Sequence, residues 1–293
     1  MMSVLTVSHR TVYRYREPIA PGEHRMMFRP REGHDLRLIR SRLEISPLPA
    51  RLRWLHDPFD NSVAVADFEG KTTRLSFDSN VTLEHFDSTQ PEYPLEDYAQ
   101  RYPFRYSDED FQNLERGLTP GFDNANVSKW VLRFLDAHET TPTMAMLTKL
   151  THGIQHELEY TRRVEKGVQS PAETLQRHRG SCRDFAVLMM EAVRSLGIAA
   201  RFVSGYIFTP DSAGMAGGGA THAWMQAYLP GAGWIDFDPT NSIIGNRNLI
   251  RVAVAWSPDH VLPLWGTYSG PPGSFIAMDV EVRVTEASAQ PDT

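Results

Sequence analysis

Three side chains that together can perform nucleophilic catalysis, Cys182, His222 and Asp238, follow one another in the second half of the sequence. A cysteine thiolate attacks a carbonyl, an imidazole holds and later returns the proton, and a carboxylate fixes the imidazole tautomer. A chain of this size contains many such combinations, so the trio means little until the elements that carry it are considered. Asp236 is a second candidate for the carboxylate.

The cysteine lies in Gly180-Ser181-Cys182-Arg183-Asp184-Phe185-Ala186, at the head of a helical pattern. Phe185, Leu188, Met189, Ala192, Val193 and Leu196 recur three or four apart, which predicts an α-helix with one buried face, and Gly197 is a stop signal. Ser181 and Asp184 have capping-box spacing: Ser181 accepts from the Asp184 amide and Asp184 reaches back to the cap. Cys182 then occupies the first helical position. Unpaired N–H groups and the positive end of the helix dipole favour a thiolate there, and the same amides could hold an oxyanion. Cysteines at helix starts or beside His⁺ titrate at about 3.5–7.5 instead of about 8.5. A lone cysteine elsewhere is more often a small buried apolar residue.

The other two candidates belong to a β-hairpin signature. One strand begins His222-Ala223-Trp224-Met225-Gln226-Ala227-Tyr228, a turn runs through Pro230-Gly231-Ala232-Gly233, and the return strand is Trp234-Ile235-Asp236-Phe237-Asp238-Pro239-Thr240. If the connection has an odd number of residues, even-numbered positions share one face, and His222 neighbours Asp238. Asp236 has the same parity. Pro239 ends the strand and favours Asp238 at its tip.

The residues up to about 86 are punctuated as a β-region, with candidate strands Val4 to Tyr15, Leu36 to Ile45, Ser62 to Phe68, Thr72 to Phe77 and Val81 to Phe86. Asp57-Pro58-Phe59-Asp60-Asn61 reads as a turn. Antiparallel sheets packed as a β-sandwich are the expected form. No catalytic set occurs in this region, and its arginines read as solvated strand faces. A Pro-rich segment from Asp87 to about Asn126 is expected as an ordered connector. Helical stripes follow at Val127, Trp130, Val131, Phe134 and Leu135 and at Leu147, Leu150, Ile154 and Leu158. Ser170-Pro171-Ala172-Glu173 opens a short capped helix that leads to Gly180. His152 and His156 have two-ligand spacing but lack a zincin glutamate, so surface histidines are the preferred reading. After a strand from Ile198 to Phe208, the glycine-rich Thr209 to Ala220 is expected as a mobile loop, and it has no phosphate-loop ending.

Composition narrows the class. The 293 residues suffice for two domains, and 36 acidic against 30 basic side chains give a formal charge of −6. Neither nucleic acid nor an anionic membrane is an expected partner. A single cysteine forms no internal disulfide and no paired-thiolate zinc site. The N-terminus has no signal-peptide pattern and no apolar run reaches membrane-spanning length, so a cytoplasmic location is expected. Neither a cofactor nor a metal is expected, and no pattern specifies an oligomer.

Beyond the trio, Leu196-Gly197-Ile198-Ala199-Ala200-Arg201-Phe202-Val203-Ser204-Gly205-Tyr206, His222-Ala223-Trp224 and Trp234-Ile235-Asp236-Phe237-Asp238-Pro239-Thr240-Asn241 closely resemble the bacterial transglutaminase-like superfamily. Thr11-Val12-Tyr13-Arg14-Tyr15, Phe28-Arg29-Pro30-Arg31 and the Asp57 to Asn61 turn resemble the β-rich N-terminal region often joined to it. The resemblance implies an α+β fold: residues 1–86 as a β-rich domain, 87–126 as connector, and 127–293 as a papain-like or transglutaminase-like catalytic domain with C-terminal strands. It assigns Cys182 as nucleophile, His222 as base and Asp238 as third member. Two departures stand out. Asp60 replaces an expected Gly, and Ala255-Trp256-Ser257-Pro258-Asp259-His260 replaces Gly-Arg-Asp-Tyr, with Trp256 or His260 as possible substitutes at the substrate rim.

The expected chemistry is acyl transfer from a peptide or protein amide through a thioester. Hydrolysis is favoured, since no calcium-loop pattern supports a regulated cross-linker. The alternatives are an amine acyltransferase and a non-catalytic peptide-binding scaffold.

Overall fold

The computed structural model describes residues 2–86, 93–122, 125–137, 140–163, 165–209 and 220–286. The first layer is built on one long strand, β1 (Met2–Met26), together with β2 (Leu36–Ser46), β3 (Arg51–His56), β4 (Ser62–Asp67) and β5 (Thr72–Phe86). All pair antiparallel in the order β2-β5-β1-β4-β3. The register of β1 against β5 slips between Arg14 and Ile19, where Pro18 removes a ladder donor. Beyond the slip β1 turns to β4. The antiparallel sheets expected as a β-sandwich are joined through the shared β1 into one curled sheet, closed on Tyr15, Ile19, Met26, Phe28, Leu75 and Phe77.

Sequence patterning passed over β3 and a helix, among other elements. β3 carries Arg51, Arg53 and His56 among its apolar residues, which hides its alternation. Within the expected connector lies a helix, α1 (Asp108–Leu118), whose N-cap Ser107 accepts from the Asp110 amide. The cap, three acidic residues in the first turn and Leu114 with Leu118 four apart were readable signals. The next helices are α2 (Ala125–Val131), continued by a 3-10 turn at Leu132–Phe134, α3 (Thr143–Glu157) and α4 (Pro171–Arg177).

The second layer pairs α5 (Cys182–Ser195) with a five-stranded antiparallel sheet of β6 (Ala200–Ile207), β7 (His222–Leu229), β8 (Gly233–Asp238) and β9 (Leu249–Ala255). The sheet order is Ile243–Ile244, β8, β7, β6, β9. α5 is buried along almost its whole length and packs on β7 and β6. Its Phe185, Leu188 and Met189 share one continuous core with Leu5 and Val7 of β1 and Leu83 of β5, so the two layers are joined by apolar burial. The chain ends in β10 (Leu264–Ser269) and β11 (Phe275–Glu286), both paired antiparallel with β1. These two strands, grouped by sequence with the catalytic domain, thus belong to the curled N-terminal sheet by hydrogen bonding. The glycine-rich segment expected as a loop falls, from 210 to 219, outside the described residues.

Polar contacts lock the layers together. His9 of β1 is buried between Tyr206 (Nδ1 to the hydroxyl, 2.9 Å) and Thr11 (Nε2 to Oγ1, 3.1 Å). Asn61 inserts its amide into the edge of β9, donating to Val254 O at 2.8 Å and accepting from Val254 N–H at 2.9 Å. Arg31 donates to Asn61 Oδ1 and Phe59 O, so the Asp57–Asn61 turn serves as a docking element. Asp60 has φ 60°, which explains a position where glycine was expected: aspartate tolerates the left-handed region.

Candidate active site

Cys182 stands at the start of α5, 7 % exposed. The expected capping box is present, but the Asp184 carboxylate does more than cap. It accepts from the Ser181 amide and hydroxyl (both 2.8 Å), the Gln169 amide (2.7 Å) and side chain (3.2 Å), and Arg163 Nη1 (2.6 Å). Burial alone would raise the Asp184 pKa; these Ser181, Arg163 and Gln169 donors outweigh it and hold the carboxyl below its usual range. The segment before the helix is thereby tied to its first turn. Gly180 is required there, since a Cβ would come within 2.9 Å of Asp184 Cβ. Arg163 and Gln169 carry no local sequence signature, and their role emerges only from tertiary packing.

The β7–β8 hairpin has the assumed parity. Leu229 pairs with Gly233 and Gln226 with Asp236, which leaves Pro230, Gly231 and Ala232 as an odd-length connection. His222 opens β7, Asp238 ends β8, and both are buried. His222 Nε2 donates to Asp238 Oδ2 at 2.8 Å. Asp238 also accepts from the Thr240 amide and Asn241 Nδ2, each at 2.9 Å, so the turn after Pro239 fixes the carboxylate from behind. Asp236 has other partners: it accepts from Trp224 Nε1 at 2.6 Å and from Arg251 Nη1 at 3.1 Å. The ambiguity between the two aspartates is thus resolved geometrically, with Asp238 on the imidazole and Asp236 in the support of the sheet.

Trp224 stacks beside His222 at 5.9 Å between ring centroids. Gly205, opposite His222 on β6, gives it room: a Cβ there would lie 2.7 Å from the indole and 2.2 Å from Ile250 O. Burial pushes the His222 pKa down, but Asp238 and then Cys182 outweigh it and raise it to about 10. Asp238 is pushed up by burial, and His222, Asn241 and Thr240 bring it below its usual range. With Nε2 engaged, Nδ1 is the ring nitrogen left for sulfur; it is buried and has no hydrogen-bond partner among the described residues. The structure thus brings Cys182, His222 and Asp238 to one place, an arrangement for cysteine-based catalysis.

Tyr160 was not singled out from sequence. A parallel bridge to Gly180 places it next to the Cys182 turn. Burial, with Cys182 nearby, raises its pKa to about 12, so the hydroxyl stays protonated at neutral pH. Trp256, expected at the substrate rim, lies elsewhere. It packs on Phe59 (5.7 Å) and Trp234 (5.9 Å), beyond Ala255, which pairs with Phe202 at the end of β6 away from His222. His152 and His156 sit side by side on α3 with centroids 6.4 Å apart. Among the described residues no cluster of three or more His, Cys, Asp or Glu side chains is disposed to hold a metal. No helix among them is long and apolar enough to cross a membrane.

Comparison with known proteins agrees with this architecture. The family model of the transglutaminase-like superfamily matches residues 132–239, which contain Cys182, His222 and Asp238. That of the bacterial transglutaminase-like N-terminal region matches residues 5–84. An uncharacterised protein of Mycobacterium leprae is 28 % identical over 284 residues, covering 96 % of this chain and 98 % of that protein. The uncharacterised Bacillus subtilis protein YebA is 36 % identical over 69 residues, or 21 % of this chain and 9 % of YebA. The crystal structure of a proposed cysteine protease from Cytophaga hutchinsonii superposes with a TM-score of 0.72 at 19 % identity, covering 99 % of this chain and 93 % of that one. At that identity the likeness is one of fold. On these matches the chain carries a transglutaminase-like core at residues 132–239, preceded by a bacterial transglutaminase-like N-terminal region at residues 5–84.

Proposed function

We propose that the protein cleaves peptide or other carboxamide bonds through a thioester on Cys182, with water as the preferred acceptor. The observation that carries this reading is the buried His222–Asp238 pair, 2.8 Å apart, beside a cysteine at a helix start.

In the first half of the cycle the Cys182 sulfur bonds to the substrate carbonyl carbon. Negative charge moves to the carbonyl oxygen, where the unpaired N–H groups at the start of α5 are the available donors. The His222 imidazolium gives its proton to the departing nitrogen as the C–N bond breaks, and a thioester remains. Asp238 holds Nε2–H and so presents Nδ1 for this transfer.

In the second half, water adds to the thioester, His222 takes its proton, the S–C bond breaks, and a carboxylic acid leaves with the thiol restored. Cys182 is one of the groups that raise the His222 pKa. A thioester is neutral, so acylation removes that contribution and makes the imidazole a better base when water must be deprotonated. Hydrolysis is preferred to amine transfer because the buried setting of Cys182 favours the smallest nucleophile.

The test is product analysis by mass spectrometry on peptide amides, with and without a primary amine. A carboxylic acid product that persists when amine is added, and that Cys182→Ala abolishes, supports the proposal. A product that becomes chiefly the amine adduct makes the protein a transferase. No turnover of any amide, with a Cys182 that never acylates, makes it a binding scaffold.

A further inference from the structure

At the end of the catalytic sheet away from His222, a cavity of about 320 Å³ lies between α1 and the strands β6, β7 and β8. Asp110, Leu114, Arg201, Tyr228, Trp234 and Trp256 line it. Ligand cavities run from about 300 to 1,000 Å³, so this one suits a small molecule.

Its charges are unusual. The Arg201 guanidinium lies over the Trp234 ring, 4.1 Å from its centre, and Nε donates to Gln226 Oε1 at 2.8 Å. The nearby Asp236 does not form an ion pair with it, being paired with Arg251 instead. Among the described residues no carboxylate forms an ion pair with Arg201. Burial, with Arg31 and Arg251 nearby and Asp236 opposing, lowers its pKa to about 9, which leaves it a cation at neutral pH. On the other wall, the half-buried Asp110 accepts a hydrogen bond from the Tyr228 hydroxyl at 3.3 Å, and no cation pairs with it among the described residues. A single small cavity therefore holds one cation and one anion that do not pair with each other. A guanidinium withdrawn from water, as Arg201 is, is normally paired, because its desolvation is otherwise uncompensated.

We propose that this cavity binds a small zwitterion, an α-amino acid with an apolar or aromatic side chain. Its carboxylate meets the planar fork of Arg201, whose geometry suits two parallel hydrogen bonds to one carboxylate. Its ammonium meets Asp110, and its side chain lies against Leu114 and Trp256. A dianion such as phosphate is disfavoured by Asp110, and an extended polyanion finds only one cation in the cavity. Because the site lies at the far end of the sheet from Cys182, it stands apart from the proposed chemistry.

Isothermal titration and tryptophan fluorescence with L-phenylalanine and L-leucine test this on the full chain. Cys182→Ala is the background protein, so that active-site chemistry cannot contribute. The expected result is saturable one-to-one binding with a change in indole fluorescence. N-acetyl-L-phenylalanine and L-phenylalaninamide, each lacking one charge, should bind at least about tenfold more weakly. Arg201→Gln and Asp110→Asn should each weaken binding by a similar factor. Asp110 is on the surface helix α1, so its variant carries the test even if Arg201→Gln does not fold. Absence of saturable binding up to about 10 mM overturns the proposal, as does binding that Asp110→Asn leaves unchanged. N-acetyl-L-phenylalanine binding as tightly as the free amino acid overturns it too.

Discussion

His222 and Asp238 form a buried 2.8 Å hydrogen bond, whereas Asp236, on the same strand and the same face, is bonded to Trp224 and Arg251. Two chemically identical side chains therefore have separable roles. Asp238→Asn should slow acylation by at least about a hundredfold in a folded protein, because the amide no longer stabilises the imidazolium. Asp236→Asn should slow it by less than about tenfold but lower stability by about 2–4 kcal/mol, since it leaves Arg251 short of a buried partner. Single-turnover kinetics and urea unfolding of both variants check this. A larger kinetic effect from Asp236→Asn in a folded protein would reverse the assignment.

The His222 pKa, raised to about 10, keeps the imidazolium charged through neutral pH, with a proton ready for the departing nitrogen. The rate of iodoacetamide alkylation of Cys182 at neutral pH should shift downward in His222→Ala, and less in Asp238→Ala. The imidazolium is the direct charge partner, and the aspartate acts through it. Equal or reversed shifts contradict these roles.

Two histidines should shape stability against pH in opposite directions. His9, buried against Tyr206, has its pKa lowered by burial to about 4. Its neutral form is the folded one, so its contribution is present above an unfolded pKa of about 6.5 and is lost as pH falls through about 4. The amount is of order 1–3 kcal/mol. His222, raised to about 10, contributes below about 6.5 and loses that contribution as pH rises toward 10. Urea midpoints should accordingly fall on both limbs, with His9→Asn flattening the acid limb and His222→Ala the alkaline one. Unchanged limbs in the variants contradict the assignment.

Docking of the N-terminal sheet offers a further check. Asn61→Ala leaves the N–H and C=O of Val254 without their side-chain partner and should destabilise by about 2–4 kcal/mol. Asp60→Gly relieves a left-handed backbone and should be neutral or mildly stabilising, although it gives up an exposed contact with His56. Thermal unfolding distinguishes the two. Equal losses would show that the turn's conformation matters more than the Asn61 bonds.

Much of this was legible because it rests on local rules. The period of Phe185 to Leu196, the capping spacing of Ser181 and Asp184 and the parity of the β7–β8 hairpin depend on near neighbours in sequence, and each is present in the structure. Parity could not separate Asp236 from Asp238, because the choice depends on Arg251 from another strand and Asn241 from the following turn. The Arg163 and Gln169 cradle around Asp184 was hidden for the same reason. α1 was passed over because it lies among prolines and aromatics, although its cap was readable. The pairing of β10 and β11 with β1 joins the two ends of the chain, a non-local contact that no periodicity encodes.

Intact-protein mass spectrometry after rapid mixing with an activated peptide ester tests the central claim most directly. The account predicts a single acyl adduct mapping to Cys182, removed by hydroxylamine, absent in Cys182→Ala and formed at least about a hundredfold more slowly in Asp238→Asn. An adduct on another residue, or amide turnover surviving in Cys182→Ala, would contradict it.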